Sequence, residues 1–224
     1  FLNIDIASGV AVQSNGSIVV SGTIRSNGSS VGAYVTRLLS DGRTDTTFNG
    51  FGVRTENFQS RGSGSEDLLV SETGKILLAG STLDSFAFVQ YNADGSLDSS
   101  FGTDGKVTLF NGGPSFSGSA RSISRQASGS FVVSGVSKGS FGLARFQSNG
   151  TLDTSFGRNG LVQTDFGPSL DEVGGIAVQP NGKTVVVGQS SRLMSLARYN
   201  LNGALDSTFG TGGKVTLGFG DQYR

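Results

Sequence analysis

Short apolar runs alternate with glycine-bearing turns along the whole chain, and no window sustains the helical period of about 3.6 residues. Val10-Ala11-Val12, Leu68-Leu69-Val70, Ser122-Ile123-Ser124 and Ile176-Ala177-Val178 read as first strands. Each is followed by a polar turn and then by Ile18-Val19-Val20, Ile76-Leu77-Leu78, Phe131-Val132-Val133 or Val185-Val186-Val187. An Asn-Gly-type pair between β-branched runs signals a two-residue hairpin. The second strands are apolar at consecutive positions, so both of their faces must be covered. Third strands alternate, as in Phe86 to Tyr91 and Phe141 to Phe146, and fourth strands are short, as at Val53 to Thr55, Val107 to Leu109, Val162 to Thr164 and Val215 to Leu217.

The punctuation is periodic. Turn glycines fall at Gly16, Gly74, Gly129 and Gly182, spaced 58, 55 and 53 residues, and six residues after each stands Gly22, Gly80, Gly135 or Gly188. A second set, Gly42, Gly95, Gly150 and Gly203, is followed three residues on by Asp45, Asp98, Asp153 and Asp206, and six residues on by Phe48, Phe101, Phe156 and Phe209. Four strands per repeat joined by short turns predict one propeller blade, and a blade that cannot cover its own faces must stack on its neighbours. The expected fold is all-β: a β-propeller of four four-stranded antiparallel blades, one per repeat. It forms a single domain over 1–224 with blades at approximately 6–58, 66–110, 121–166 and 174–219. A four-blade ring is the preferred arrangement, with two copies pairing into a larger ring as the alternative.

The stretch Ala197-Arg198-Tyr199-Asn200, continued by Asn202-Gly203-Ala204-Leu205-Asp206-Ser207-Thr208-Phe209-Gly210, and its three partners resemble the bacterial delta-60 repeat. That resemblance covers essentially the whole chain. It implies a β-propeller of large secreted or surface-attached proteins, hence an extracellular or cell-surface location, and it brings no catalytic residues. Repeat 1 departs most, with Ser40-Asp41-Gly42-Arg43-Thr44-Asp45. The chain opens at Phe1 without a signal-like segment and reads as a piece of a larger polypeptide.

Composition narrows the chemistry. Lys plus Arg and Asp plus Glu both number 17 and are scattered, which gives no footprint for nucleic acid. No apolar run reaches the roughly 20 residues of a membrane-spanning helix, so no membrane insertion is expected. The sequence holds no Cys and no His, which excludes disulfides, thiolate chemistry, Ser-His-Asp catalysis and the commonest zinc sites. Carboxylate pairs remain the available acid/base chemistry. Glu66-Asp67 and Asp171-Glu172 are adjacent acidic pairs expected on loops, where sequence neighbours point apart.

Several motifs have plain structural readings. Arg37, Arg145 and Arg198 each precede the recurrent Asp by eight residues, with Gln90 in repeat 2, and predict an Asp that caps its loop and pairs with the strand. Asn92 to Asp98 resembles a calcium loop, but the position of a bidentate Glu is occupied by Phe101. Gly210-Thr211-Gly212-Gly213-Lys214 lacks the first Gly of a phosphate loop, because Thr208 stands there, and a strand follows it. Neither a metal nor a cofactor is expected, and no catalytic residue is assigned.

First-to-second and third-to-fourth connections lie at one end of each blade and repeat closely. The opposite end varies. From the Gly22 class to the Gly42 class the distance is 20 residues in repeat 1 and 15 elsewhere, an insertion around Arg25 to Ser30, and the blade-to-blade segments 59–66, 111–120 and 167–174 differ. Loops on a rigid scaffold carry binding residues, so this variable face is the expected ligand surface, with Arg61, Asp84, Phe116, Asp171 and Arg192 as candidate contacts. The expected function is non-enzymatic recognition or adhesion, with a glycan or a cell-surface protein as partner. A polysaccharide-active enzyme using a carboxylate pair, or a passive spacer in a longer array, are the alternatives.

Overall fold

The structure, a computed structural model, describes residues 3–58, 64–82, 85–109 and 118–218. Sixteen strands form four separate four-stranded antiparallel sheets, each in simple sequential order, and there is no helix among the described residues. Blade 1 holds β1 (Asn3–Val12), β2 (Ile18–Ser26), β3 (Ser29–Leu38) and β4 (Val53–Glu56). Blade 2 holds β5 (Gly64–Val70), β6 (Ile76–Ser81), β7 (Phe86–Tyr91) and β8 (Lys106–Thr108). In blade 3 these are β9 (Gly118–Arg125), β10 (Phe131–Ser137), β11 (Ser140–Phe146) and β12 (Leu161–Thr164). Blade 4 has β13 (Asp171–Val178), β14 (Thr184–Ser190), β15 (Leu193–Tyr199) and β16 (Lys214–Leu217). The chain gathers into two compact units, Phe1–Ser115 and Phe116–Arg224, each with two blades.

The consecutive apolar residues of the second strands are explained by two-sided burial. All six residues of β6 and all six of β7 are buried. In the first unit, Val19, Ala33, Val35, Phe48 and Phe58 of blade 1 pack on Leu68, Ile76, Leu78, Val89 and Tyr91 of blade 2. The second unit repeats this with Val132, Phe141, Leu143 and Phe156 of blade 3 against Val173, Val186, Ala197 and Tyr199 of blade 4.

Gly22, Gly80, Gly135 and Gly188 share one cause. A Cβ on each would lie 2.0, 1.9, 1.9 and 1.9 Å from the carbonyl oxygens of Ile6, Gly64, Ser119 and Glu172, where the first strand bulges against the second. Beyond the bulge the first strands continue, so they begin at Asn3, Gly64, Gly118 and Asp171, ahead of their apolar triplets.

Two turn expectations exchange places. The Asn15-Gly16 class is not a two-residue turn: Val12 and Ile18 bound a five-residue loop closed by Gln13 N–H to Ser17 O (2.8 Å), with only Gly16 at positive φ (83°). Genuine two-residue turns, with positive φ at both positions, join second to third strands at Asn27-Gly28, Lys138-Gly139 and Ser191-Arg192. The extra residues of repeat 1 lengthen this hairpin rather than form a loop, giving β2 nine residues and β3 ten.

At the constant end, the recurrent aspartate does what its spacing predicts. Asp45, Asp98, Asp153 and Asp206 accept from Arg37 Nε (2.7 Å), Gln90 Nε2 (2.7 Å), Arg145 Nε (2.8 Å) and Arg198 Nε (2.7 Å). Their other oxygen accepts the backbone N–H and the hydroxyl of the residue two further on, Thr47, Ser100, Ser155 or Thr208. The Arg37, Arg145 and Arg198 guanidinium groups lie 5.0, 4.7 and 4.6 Å from the ring centres of Phe48, Phe156 and Phe209. Two of these arginines also reach the next blade, Arg37 Nη1 donating to Ala93 O and Arg145 Nη1 to Leu201 O. Beside them Asn49 N–H donates to Asp94 O and Gly157 N–H to Asn202 O, both at 2.7 Å. The Asn92 to Asp98 segment is a turn, with Gly95 at φ 88° and Asp94 Oδ1 accepting from Ser96 N–H.

Candidate functional site

Of the expected contacts, Arg61, Asp84 and Phe116 lie outside the described residues. Asp171 and Arg192 are described, and both belong to the variable end of blade 4. The connection from β12 to β13 runs past them. It opens with Asp165, whose Oδ1 accepts Gly167 N–H at 2.8 Å, a local turn of the kind Asp favours. It then touches two hairpin tips. Asp171 N–H donates to Gly139 O in the blade 3 turn (2.8 Å), and Ser191 Oγ in the blade 4 turn donates to Ser169 Oγ (3.0 Å). Leu170 is 81% exposed and lies over Gly139, where a Cβ would come within 2.6 Å of its Cδ2.

Asp171 is the first residue of β13 and is 1% exposed. Its Oδ2 accepts Phe166 N–H at 3.2 Å, while its Oδ1 is buried with no hydrogen-bond partner. Ser190 sits directly across on β14, 3% exposed, and its Oγ is likewise buried and unpartnered. Ser137 Oγ, at the end of β10, is a third such atom; the Ser137 carbonyl accepts from Gln163 Nε2 at 3.1 Å. A buried acceptor or hydroxyl left unpaired costs about 1–3 kcal/mol, and three such atoms gather at this end of blades 3 and 4. Deeper in, Tyr199 donates to Thr164 Oγ1 at 2.9 Å. Burial pushes the Tyr199 phenol well above its ordinary value, and the charge of Asp171 adds to the rise.

The acidic pairs stand in strands rather than on loops. Asp171 and Glu172 alternate along β13, so Asp171 is buried toward blade 3 while Glu172 is exposed and accepts from Gln189 Nε2 at 3.2 Å. They do not share a site. Asp67 is in β5, where its Oδ1 accepts Leu68 N–H at 2.8 Å.

Arg192 is exposed at φ 64° and its neighbour Ser191 has φ 51°. The equivalent turns place a glycine second, Gly28 (79°) and Gly139 (77°). A side chain in this left-handed region costs about 1–2 kcal/mol per residue. Blade 4 therefore carries strain that the other two turns avoid, and strain of this kind concentrates at functional sites.

Sequence reasoning missed a cleft of ≈ 420 Å³ along the edge strand of blade 4, lined by Phe166, Gly210, Thr211, Lys214, Val215 and Thr216. Lys214 Nζ donates to Asp165 O (2.6 Å) and stands 5.2 Å from the Phe166 ring centre. The Gly210 to Lys214 segment is its rim, and strand β16 follows directly. Ser137 and Ser190 were also missed, although each stands two residues after a recurrent glycine, at Gly135 and Gly188.

Sixteen strands in four sequential antiparallel sheets, one sheet per sequence repeat, define a β-propeller repeat protein. The chain belongs to the β-propeller family described as a domain of unknown function (DUF5122), which matches it four times, over residues 13–48, 72–101, 126–156 and 179–209. No curated protein matches it in sequence. Among solved structures, a protein from Lactobacillus plantarum aligns with a TM-score of 0.61 at 18% identity, covering 95% of this chain and 56% of its own. A protein of unknown function from Bacteroides caccae gives 0.54 at 16% identity, covering 88% and 57%. Virginiamycin B lyase from Staphylococcus aureus with quinupristin gives 0.51 at 11%, covering 89% and 58%. The chain thus spans less than two thirds of each of these proteins, and at such identities the likeness is one of fold.

Proposed function

We propose that the chain is a recognition module that binds a glycan through the variable end of its blades and performs no chemistry on it. The observation that carries this reading is the Ser191-Arg192 turn. Two consecutive non-glycine residues are held left-handed at the tip of a hairpin, and the second presents an exposed guanidinium. Around it stand Ser169, Ser191 and Gln189, a set of hydroxyl and amide groups suited to hydroxyl-rich partners. Asp171 anchors the neighbouring connection from below. Arg61, Asp84 and Phe116 fall in the corresponding connections of the sequence and are proposed as contacts on that ground alone. The separation of Asp171 from Glu172 across β13 speaks against a hydrolase built on that pair. The resemblance to delta-60 repeats supports an extracellular or cell-surface setting within a larger polypeptide.

A glycan array probed with the purified chain, together with a reducing-sugar release assay, tests the proposal. Expected are binding without sugar release, and a loss of at least tenfold in affinity for Arg192→Gly with an unchanged circular dichroism spectrum. Arg192→Gly binding as well as the parent, or release of reducing sugar, sinks it. Retention of a cell-surface protein by a chain silent on glycans assigns the surface to a protein partner instead.

A further inference from the structure

Each unit buries one blade-to-blade interface, and the two interfaces are built alike. The covering blade, 2 or 4, supplies a leading face; the covered blade, 1 or 3, supplies a trailing face. Blade 2 offers Leu68, Ile76, Leu78 and Tyr91, and blade 4 offers Ile176, Val186 and Tyr199. The residues at the same repeat positions in blade 1 are Val10, Ile18, Val20 and Leu38. They are uncovered: Val10 and Val12 are both 69% exposed, and Ile18, Val20 and Leu38 are half-buried.

The trailing face of blade 4 shows the converse. Val132, Phe141, Leu143 and Phe156 are 0% exposed in blade 3, as are Val19, Ala33, Val35 and Phe48 in blade 1. Their counterparts Val185, Met194, Leu196 and Phe209 are half-exposed, with Val187 exposed beside them. The polar clasp is open in the same way. Arg37 and Asn49 donate to Ala93 O and Asp94 O, and Arg145 and Gly157 donate to Leu201 O and Asn202 O. Arg198 and Gly210 are the matching donors on blade 4, and the carbonyls of the exposed residues Ser40 and Asp41 are the matching acceptors on blade 1. The covered turns also seat an aromatic ring: a Cβ on Gly95 would lie 3.0 Å from Phe48, and one on Gly203 would lie 3.1 Å from Phe156. Gly42 has nothing within 4 Å.

We infer that the trailing face of blade 4 in one copy of this chain seats on the leading face of blade 1 in a second copy, head to tail. Phe209 then lies against Gly42, and Arg198 and Gly210 donate to the Ser40 and Asp41 carbonyls. The partner is specified because the same surfaces already dock twice inside the chain, with apolar positions and hydrogen-bonding groups in one register. A heterologous contact of this kind either closes or runs on as a chain of copies.

Sedimentation equilibrium of the 224-residue chain from low to high micromolar concentration tests this. Expected is mass action toward species of at least twice 23.0 kDa. Val10→Lys and Val187→Lys, both at exposed positions, each raise the dissociation constant more than 100-fold without altering circular dichroism. Mixing the two variants restores a dimer, because one retains an intact trailing face and the other an intact leading face. A 23.0 kDa monomer at every concentration overturns the inference. So does assembly that survives either substitution alone, which marks a different contact surface.

Discussion

Arg145 makes four interactions at the constant end of blade 3: Nε to Asp153 Oδ2 at 2.8 Å, Nη2 to Ser155 Oγ at 3.1 Å, Nη1 to Leu201 O in blade 4, and a guanidinium 4.7 Å from the Phe156 ring centre. Blade 2 shows what replaces it. There Gln90 Nε2 donates to Asp98 Oδ2 at 2.7 Å and Lys75 Nζ donates to the same oxygen at 2.6 Å. The residue of blade 3 equivalent to Lys75 is Ser130. Arg145→Gln therefore keeps one neutral hydrogen bond to Asp153 and loses the charge, the bond to the next blade and the ring contact. A hydrogen bond to a charged group contributes about 1.5–3 kcal/mol and a partly exposed cation–π contact about 0.5–1 kcal/mol. With Arg145 and Asp153 side chains 12% and 20% exposed, screening trims the electrostatic part only modestly. The expected loss is about 2–3 kcal/mol, a fall in Tm of roughly 4–12 °C for a domain of this size.

Ser130→Lys in the Arg145→Gln background rebuilds the blade 2 arrangement and recovers about 1 kcal/mol, discounted because Lys75 is 39% exposed. In the parent background the gain is smaller, since Asp153 is already paired. Urea unfolding followed by circular dichroism, run as a double-mutant cycle, measures both numbers. If Arg145→Gln unfolds within about 0.5 kcal/mol of the parent, the arginine is surface decoration. If Ser130→Lys adds equally in both backgrounds, Asp153 is not the shared partner.

Acid stability follows from the same aspartates. Hydrogen bonds hold their carboxyls below the usual value: those from Thr47 to Asp45, from Ser155 to Asp153 and from Lys183, Thr208 and Arg198 to Asp206. At Asp98 burial opposes the shift, and the bonds from Lys75, Ser100 and Gln90 outweigh it. A carboxyl lowered in the folded state contributes stability that is complete above the unfolded value of about 4 and is lost as pH falls below it. Tm is expected to stay level from neutrality to about pH 5 and to drop below about pH 4, and a level Tm down to pH 2.5 contradicts the assignment. Gly188→Ala places a Cβ 1.9 Å from Glu172 O and 2.8 Å from Phe141 Cζ, so it should cost about 3 kcal/mol or more. Gly174→Ala, whose Cβ meets only Val187 O at 3.7 Å, should stay within about 0.5 kcal/mol, and similar losses for both refute the steric account of the recurrent glycine.

The blade was legible because its cause recurs. Strand order, two-sided burial and the Arg–Asp pairs each solve a problem posed by every repeat, so four copies announce them in register. The turns were read less well for a physical reason. Asn15-Gly16 has the composition of a two-residue turn, yet Asn15 Oδ1 accepts Ser17 N–H at 3.0 Å and the loop closes around five residues. Ser191-Arg192 is a two-residue turn whose composition argues against one, because neither residue is a glycine. Hydrogen bonding around Asp171 was illegible altogether. Whether Oδ1 finds a partner depends on the path of residues 165–170 between two hairpin tips, which no spacing encodes. Uncovered faces were equally hidden, since Val10 and Leu68 look alike in sequence and differ only in what lies against them.

The recurrent aspartates of the constant end are bound through both oxygens, whereas Asp171 at the variable end is bound through one, and this separates stability from recognition. At the constant end, each aspartate is tied by two oxygens to strand, loop and hydroxyl, and at Asp45 and Asp153 the paired arginine continues into the neighbouring blade. A change there propagates through an interface. At the variable end of blades 3 and 4, Ser137 Oγ, Asp171 Oδ1 and Ser190 Oγ are left unpartnered and Arg192 sits in strain, costs that the apolar interface and the aspartate network together offset. The loops can then vary in length and composition while the register of the strands holds. Substitutions at opposite ends share no partner, so Arg145→Gln combined with Arg192→Gly should change stability by the sum of the two within about 0.5 kcal/mol. A larger coupling between them would mean that the strands transmit strain from tip to clasp, and that the binding end is not free to change independently of the fold.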